Sequence, residues 1–188
     1  MKVLLISLFA AVMVAVPAVA QEMPDGKWRS YFEPGKEGTE RVFFFHGLVK
    51  FEVKERAKVV ETIEGKEWLR WVKTFKGSPF RNAPKDSFTR VDEAGLWSRS
   101  DNGVVELMVP RPLKVGQVWK SGDVELTFRG IEGFDTFDKV VEGCALVAGR
   151  LPDGGTVTKY YESGRGFIAR VVTGEEPSSK ILKELAGE

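Results

Sequence analysis

The chain has 188 residues, with 28 basic and 27 acidic side chains, one histidine and one cysteine. A net charge this close to zero lacks the basic footprint that nucleic-acid binding requires. A single cysteine, Cys144, rules out an internal disulfide. The length suits one domain with a substantial core.

At the amino end, Lys2 precedes an almost unbroken apolar run from Val3 to Val16. Pro17 interrupts it, and Ala18-Val19-Ala20 places small residues where a signal peptidase reads. Residues 1–20 therefore read as a cleavable secretory signal, cut between Ala20 and Gln21. The run falls short of the roughly 20 apolar residues that a spanning helix needs. Gln21 rather than cysteine follows the cut, so a bacterial lipoprotein signal is not expected. Taking 20 residues from 188 leaves a mature chain of 168, and the loss of Lys2 brings basic and acidic side chains to 27 each. The periplasm is the first expectation for its compartment, the extracellular medium the second.

Residues 21–176 read as one β-rich domain. Gln21 to Lys27 is a polar leader with a turn at Pro24-Asp25-Gly26, and Trp28 to Phe32 is read as a short strand. Glu40 to His46 carries Phe43-Phe44-Phe45 and reads as strand. From Leu48 to Lys54, Val49, Phe51 and Val53 alternate with Lys50, Glu52 and Lys54, the pattern of a half-buried strand. Val59 to Ile63 and Lys66 to Phe75 form a hairpin through Glu64-Gly65. Lys76 to Asp86 is a loop. Short strands follow at Ser87 to Val91, Leu96 to Arg99 and Val104 to Val109, the last two joined at Asp101-Asn102-Gly103. Beyond Pro110 and Pro112, strands are expected at Val118-Trp119, Val124 to Phe128, Phe137 to Gly143 and Cys144 to Gly149, then Thr156 to Tyr161 and Phe167 to Val172. Short strands with turns at this spacing predict a mostly β fold, a single antiparallel barrel or a strongly curved half-barrel sheet. A loose pseudo-repeat pairs 27–109 with 110–172. The tail, 177–188, carries Ile181, Leu182 and Leu185 on one helical face and is expected to form a short C-terminal helix.

Pro112-Leu113-Lys114-Val115-Gly116-Gln117-Val118-Trp119, then Gly133 to Phe137, then Tyr160 to Ile168 carry a pattern of turns and aromatics. The chain thereby resembles a broad group of uncharacterised secreted or periplasmic bacterial β-proteins with the pattern PLkvGxxW…GtF…YyxxGxGlv. The resemblance implies a fold and a compartment and brings no activity with it. Ile131-Glu132-Gly133-Phe134-Asp135 departs from the group's small-residue stretch. A remoter similarity in architecture is to periplasmic lipoprotein carriers, curved sheets that hold acyl chains.

Catalytic equipment is scarce. His46, the single histidine, supplies neither a metal cluster nor a nucleophile set, and Cys144 lies in an apolar run with no cation beside it to activate a thiolate. No catalytic residue, cofactor or metal site is expected. Aromatics are the stronger signal: some are expected to line an apolar concavity, with Phe43, Phe44, Phe45, Trp68, Trp71 and Trp97 as candidate ligand-binding residues. The leading expectation is a non-enzymatic envelope β-domain that binds a protein partner or an apolar ligand. A lipid or lipoprotein carrier with an apolar cavity is the alternative, and an enzyme using His46 or carboxylates a more distant one.

Overall fold

A computed structural model describes residues 22–46, 50–77, 86–135, 140–174 and 181–185, with backbone only at 45, 46 and 181–185. The signal segment read at 1–20 and most of the 76–86 loop lie outside these residues, as does the side chain of His46.

One helix, α1 (Asp25–Phe32), is followed by twelve strands. They are β1 (Glu40–His46), β2 (Phe51–Ile63), β3 (Lys66–Lys76), β4 (Asp86–Asp92), β5 (Gly95–Ser100) and β6 (Val105–Pro110). The second series is β7 (Val118–Ser121), β8 (Val124–Asp135), β9 (Val140–Arg150), β10 (Thr156–Glu162), β11 (Gly166–Thr173) and β12 (Ile181–Leu185). All join one antiparallel sheet in the order β6-β5-β4-β3-β2-β1-β12-β11-β10-β9-β8-β7. Two meanders therefore run outward from a centre where β12 pairs with β1 on one side and β11 on the other.

The sheet is a strongly curled half-barrel and does not close. Among the described residues no ladder joins the edge strands β6 and β7. Their side chains meet instead: Ser121 Oγ lies 3.5 Å from Glu106 Oε2 and 3.8 Å from Met108 Sδ. Bulges in β2, β6, β8, β9 and β11 increase local twist and help the sheet curl.

The hairpin read at Glu64-Gly65 is present. Both residues take positive φ, 53° and 73°, the requirement of a tight two-residue turn whose twist matches the strands. Gly95 is needed for a different reason. Its φ is 142°, and a Cβ there would lie 2.1 Å from the Val109 carbonyl oxygen across the β5–β6 ladder.

Three expectations are corrected. Phe137 to Gly143 and Cys144 to Gly149 are not two strands: Val140–Arg150 is the single strand β9. Trp28 to Phe32 is helix, not strand. Trp28, Tyr31 and Phe32 lie at helical spacing and are the buried face of α1, while Asp25, Arg29 and Glu33 form i,i+4 ion pairs of 3.7 Å on the other face. The C-terminal segment is not a helix: Ile181–Leu185 is strand β12. Without it, β1 and β11 would each leave a row of backbone groups unpaired in the middle of the sheet. That tertiary demand outweighs the modest helix propensity of so short a segment.

α1 plugs one end of the curl. The Trp28 indole N–H donates to the Pro110 carbonyl at 2.8 Å, and Tyr31 Oη donates to the Gly143 carbonyl at 2.7 Å. Phe32 packs edge-on against Tyr161 at a 4.9 Å ring separation. Leu113, Val109, Leu126, Phe128, Ala145 and Val147 complete the main core beneath the helix. A second core lies on the outer face, where Phe134 stacks on Tyr160 at 4.1 Å and Val141, Cys144, Ile168 and Ala169 are buried together. Burial pushes the Cys144 thiol up to about 11, with Glu162 and Glu142 adding to the effect.

Candidate ligand-binding cavity

Above the helical plug, the curl of the sheet encloses an open recess of about 930 Å³. Its floor is Phe32, Glu33 and Pro34 at the end of α1, and strands from both meanders supply its walls. The recess is of the size that drug-sized ligands occupy, about 300–1,000 Å³.

Side chains alternate between the two faces of each strand, and the inward set is mixed. Trp71, Leu96, Met108, Leu126, Val157 and Phe167 form apolar patches. Ser87, Thr89, Ser98 and Ser121 supply hydroxyls. Cations enter from four strands, as Arg41, Lys73, Lys159 and Arg170, and carboxylates as Glu33, Glu55, Glu106 and Asp123.

These charges are not equally engaged. Arg41 stacks 4.7 Å over the Trp71 ring and donates through Nη2 to the carbonyls of Pro34 and Arg165 at 2.9 and 3.2 Å. Glu55, nearly buried, stands opposite Arg41 in the β1–β2 ladder. Burial lowers the Arg41 pKa and the Glu55 charge opposes the drop. Arg41 is thus fixed in the wall.

Lys159 and Arg170 differ. They face each other across the β10–β11 ladder. Like charges placed directly opposite repel. Among the described residues neither has an ion pair or side-chain hydrogen bond. Burial lowers the Lys159 ammonium to about 8, helped by the Arg170 charge and opposed by Glu106 from the facing wall. Burial also lowers the Arg170 guanidinium. Arg170 nonetheless has a large accessible surface. The two facts fit together because its exposure is to a recess walled by protein, where solvation is poorer than at an open face.

The five aromatic candidates whose side chains are described fall on both faces. Trp71 lines the recess, its indole N–H donating to Thr89 Oγ1 at 2.9 Å. Phe43 is fully buried and packs on Phe167 at 5.7 Å. Phe44 points to the other side of β1 and is 40% exposed. The side chain of Phe45 lies outside the described residues. Trp68 and Trp97 meet on the convex face, where Arg90 lies 4.9 and 5.2 Å from their rings. Asp92 holds that stack: it pairs with Arg90 at 3.1 Å and accepts the Trp97 indole N–H at 2.9 Å. Burial would raise the Asp92 carboxyl, but the bonds from Trp97, Ala94 and Gly95 and the Arg90 charge bring it below its ordinary value. The signal missed in the sequence is the charged set. Lys159 lies between Val157 and Tyr161 in an inward register, and Arg41 two residues before Phe43.

Among the described residues, no group of three histidine, cysteine, aspartate or glutamate side chains could hold a metal ion. No family model and no curated protein matches this chain. One solved structure does: a Bacteroides fragilis protein described as a "putative exported protein with YmcC-like fold". It is 12% identical, with a TM-score of 0.56 over 83% of this chain and 97% of that one. At this identity the likeness is one of fold, and it extends over nearly the whole of the neighbour.

Proposed function

We propose that this chain is an exported, non-enzymatic binding domain that holds a small amphiphilic ligand in the recess of its half-barrel. The recess itself carries the reading: an open concavity of about 930 Å³ among the described residues, above a plugged end. A concavity of this size on the inward face of the curl is of the scale that small ligands occupy. Export is supported by the secretory pattern of residues 1–20. The description of the Bacteroides fragilis neighbour as exported agrees with it. The periplasm is the preferred compartment, the extracellular medium the alternative.

A carrier of bare acyl chains is the second reading. The apolar patches around Trp71, Leu96, Met108 and Leu126 favour it, whereas the charged groups on the same walls favour a ligand with a polar head. The test is a cavity-filling substitution. Ser98→Phe places a ring in the recess from β5 and should abolish saturable uptake of a fluorescent apolar probe such as N-phenylnaphthylamine while the far-ultraviolet dichroism stays β. Unchanged uptake in the variant would place binding elsewhere and remove the reading.

A further inference from the structure

Lys159 and Arg170 are the unusual feature of the recess. Two cations face each other on neighbouring strands of the recess wall, and among the described residues neither has an ion pair or a side-chain hydrogen bond. Lys159 is half-buried and Arg170 reaches the open space of the recess, and two like charges in register repel. A fold that served only as a scaffold would place apolar residues there, as it does at Val157 and Val172 in the same inward rows. No carboxylate among the described residues forms an ion pair with either, although the Glu106 charge favours the Lys159 ammonium. Glu106 is on the opposite wall, where it meets Ser121 at the β6–β7 seam, and Glu55 stands opposite Arg41. Asp123 sits beside that seam on the turn between β7 and β8, and Glu33 follows α1. Lys73 adds a third cation from β3.

We propose that Lys159 and Arg170 form the binding site for the anionic head, phosphate or carboxylate, of an amphiphile whose apolar part lies along Trp71, Leu96, Met108 and Leu126. The inference rests on the reading of the recess as a ligand site and assigns the chemistry of its ligand. An arginine fork and a lysine ammonium arriving from adjacent strands can donate to one tetrahedral or planar oxyanion from two directions. The anion would relieve the repulsion between the two cations, which a neutral head cannot do. Lys159 and Arg170 are recognition residues; no covalent step is involved.

The experiment uses the full mature chain and three probes: decyl phosphate below its micellar concentration, decyl maltoside as a neutral head on the same tail, and inorganic phosphate. Each is titrated calorimetrically against wild type and Lys159→Met/Arg170→Met. The expected result is that decyl phosphate binds wild type at one site and loses roughly tenfold or more affinity in the double variant, as charge-assisted contacts do when removed. Decyl maltoside should bind weakly and equally to both. If inorganic phosphate binds as tightly as decyl phosphate and is lost in the double variant, the anion site stands and its source is a free anion. If decyl phosphate and decyl maltoside bind wild type and variant alike, the anion site is wrong while the recess remains a ligand site. If no decyl probe binds wild type, both readings fall. Arg170→Lys guards against a folding defect: it keeps the charge but not the fork, and should fall between wild type and the double variant in affinity for decyl phosphate.

Discussion

Lys159→Met should make the protein more stable at neutral pH, and the gain should fade as the pH rises. The Lys159 ammonium falls from an ordinary 10.5 to about 8, through burial first, then the facing Arg170, with Glu106 opposing. At about 1.4 kcal/mol per pH unit, that drop corresponds to a ceiling of about 3 kcal/mol held against the folded state. The ammonium borders an open recess, where solvent screens part of the repulsion, so about 1–2 kcal/mol is the working figure. The sign follows from proton binding. Below about pH 8 Lys159 is protonated both folded and unfolded, and the folded state bears the full cost. Between about 8 and 10.5 the unfolded chain still holds the proton that the folded chain has released, so wild-type stability recovers as pH rises. Methionine keeps the length of the stem without the charge and breaks no bond seen in the structure. For a chain of this size the gain corresponds to a rise in Tm of roughly 2–8 °C near pH 7. Differential scanning calorimetry of variant and wild type at about pH 7 and about pH 10 reads it. Taking the difference cancels the other groups that titrate there, including Cys144 and the buried tyrosines. A variant less stable than wild type at neutral pH, or one whose advantage is the same at both values, would refute the reasoning.

Other expected outcomes follow from packing and pairing. Phe43→Ala, at a fully buried ring packed on Phe167, should cost about 3–5 kcal/mol in urea denaturation, whereas Phe44→Ala next to it should cost less than about 1 kcal/mol. Gly95→Ala should destabilise by several kcal/mol, on the order of 3 or more, because the new Cβ overlaps the Val109 carbonyl and the backbone there disfavours any side chain; a change within experimental error would contradict the β5–β6 register. The Cys144 thiol, pushed up to about 11 and buried, should react with a thiol reagent at neutral pH only at the rate of unfolding; prompt labelling of native protein would mean that the outer core is open. Ending the chain before Pro177 removes β12 and leaves β1 and β11 unpaired, so the truncated protein should aggregate or lose cooperative melting; a monomer with an unchanged transition would show that β12 is dispensable.

The local grammar of the sheet was legible because period-two alternation and glycine turns are short-range signals. The hairpin at Glu64-Gly65 and the turn at Asp101 to Gly103 fall where those signals place them. The segments misread at the two ends of the domain are those in which tertiary structure decides. Trp28, Tyr31 and Phe32 fit a helix by spacing, but five residues are too few to separate that period from a strand's. Ile181 to Leu185 is a strand because two edges await it, and this is not encoded within the segment itself. The aromatic candidates divide between the two faces for a related reason. Trp68 and Trp71 are three residues apart, so a strand must send them to opposite faces, and only Trp71 reaches the recess. The charges of the recess could have been found by the same parity, since Lys159 shares the inward row with Val157 and Tyr161. Read alone, however, a lysine in a strand looks like a solvated face. Only the curl of the sheet turns that face inward.

The central question for this protein is whether the recess holds a ligand. Native mass spectrometry of the chain secreted into a bacterial envelope and purified without detergent tests this most directly. The account predicts a stoichiometric small amphiphile, displaced by decyl phosphate and missing from Ser98→Phe. A bare chain that also takes up no decyl phosphate would contradict it.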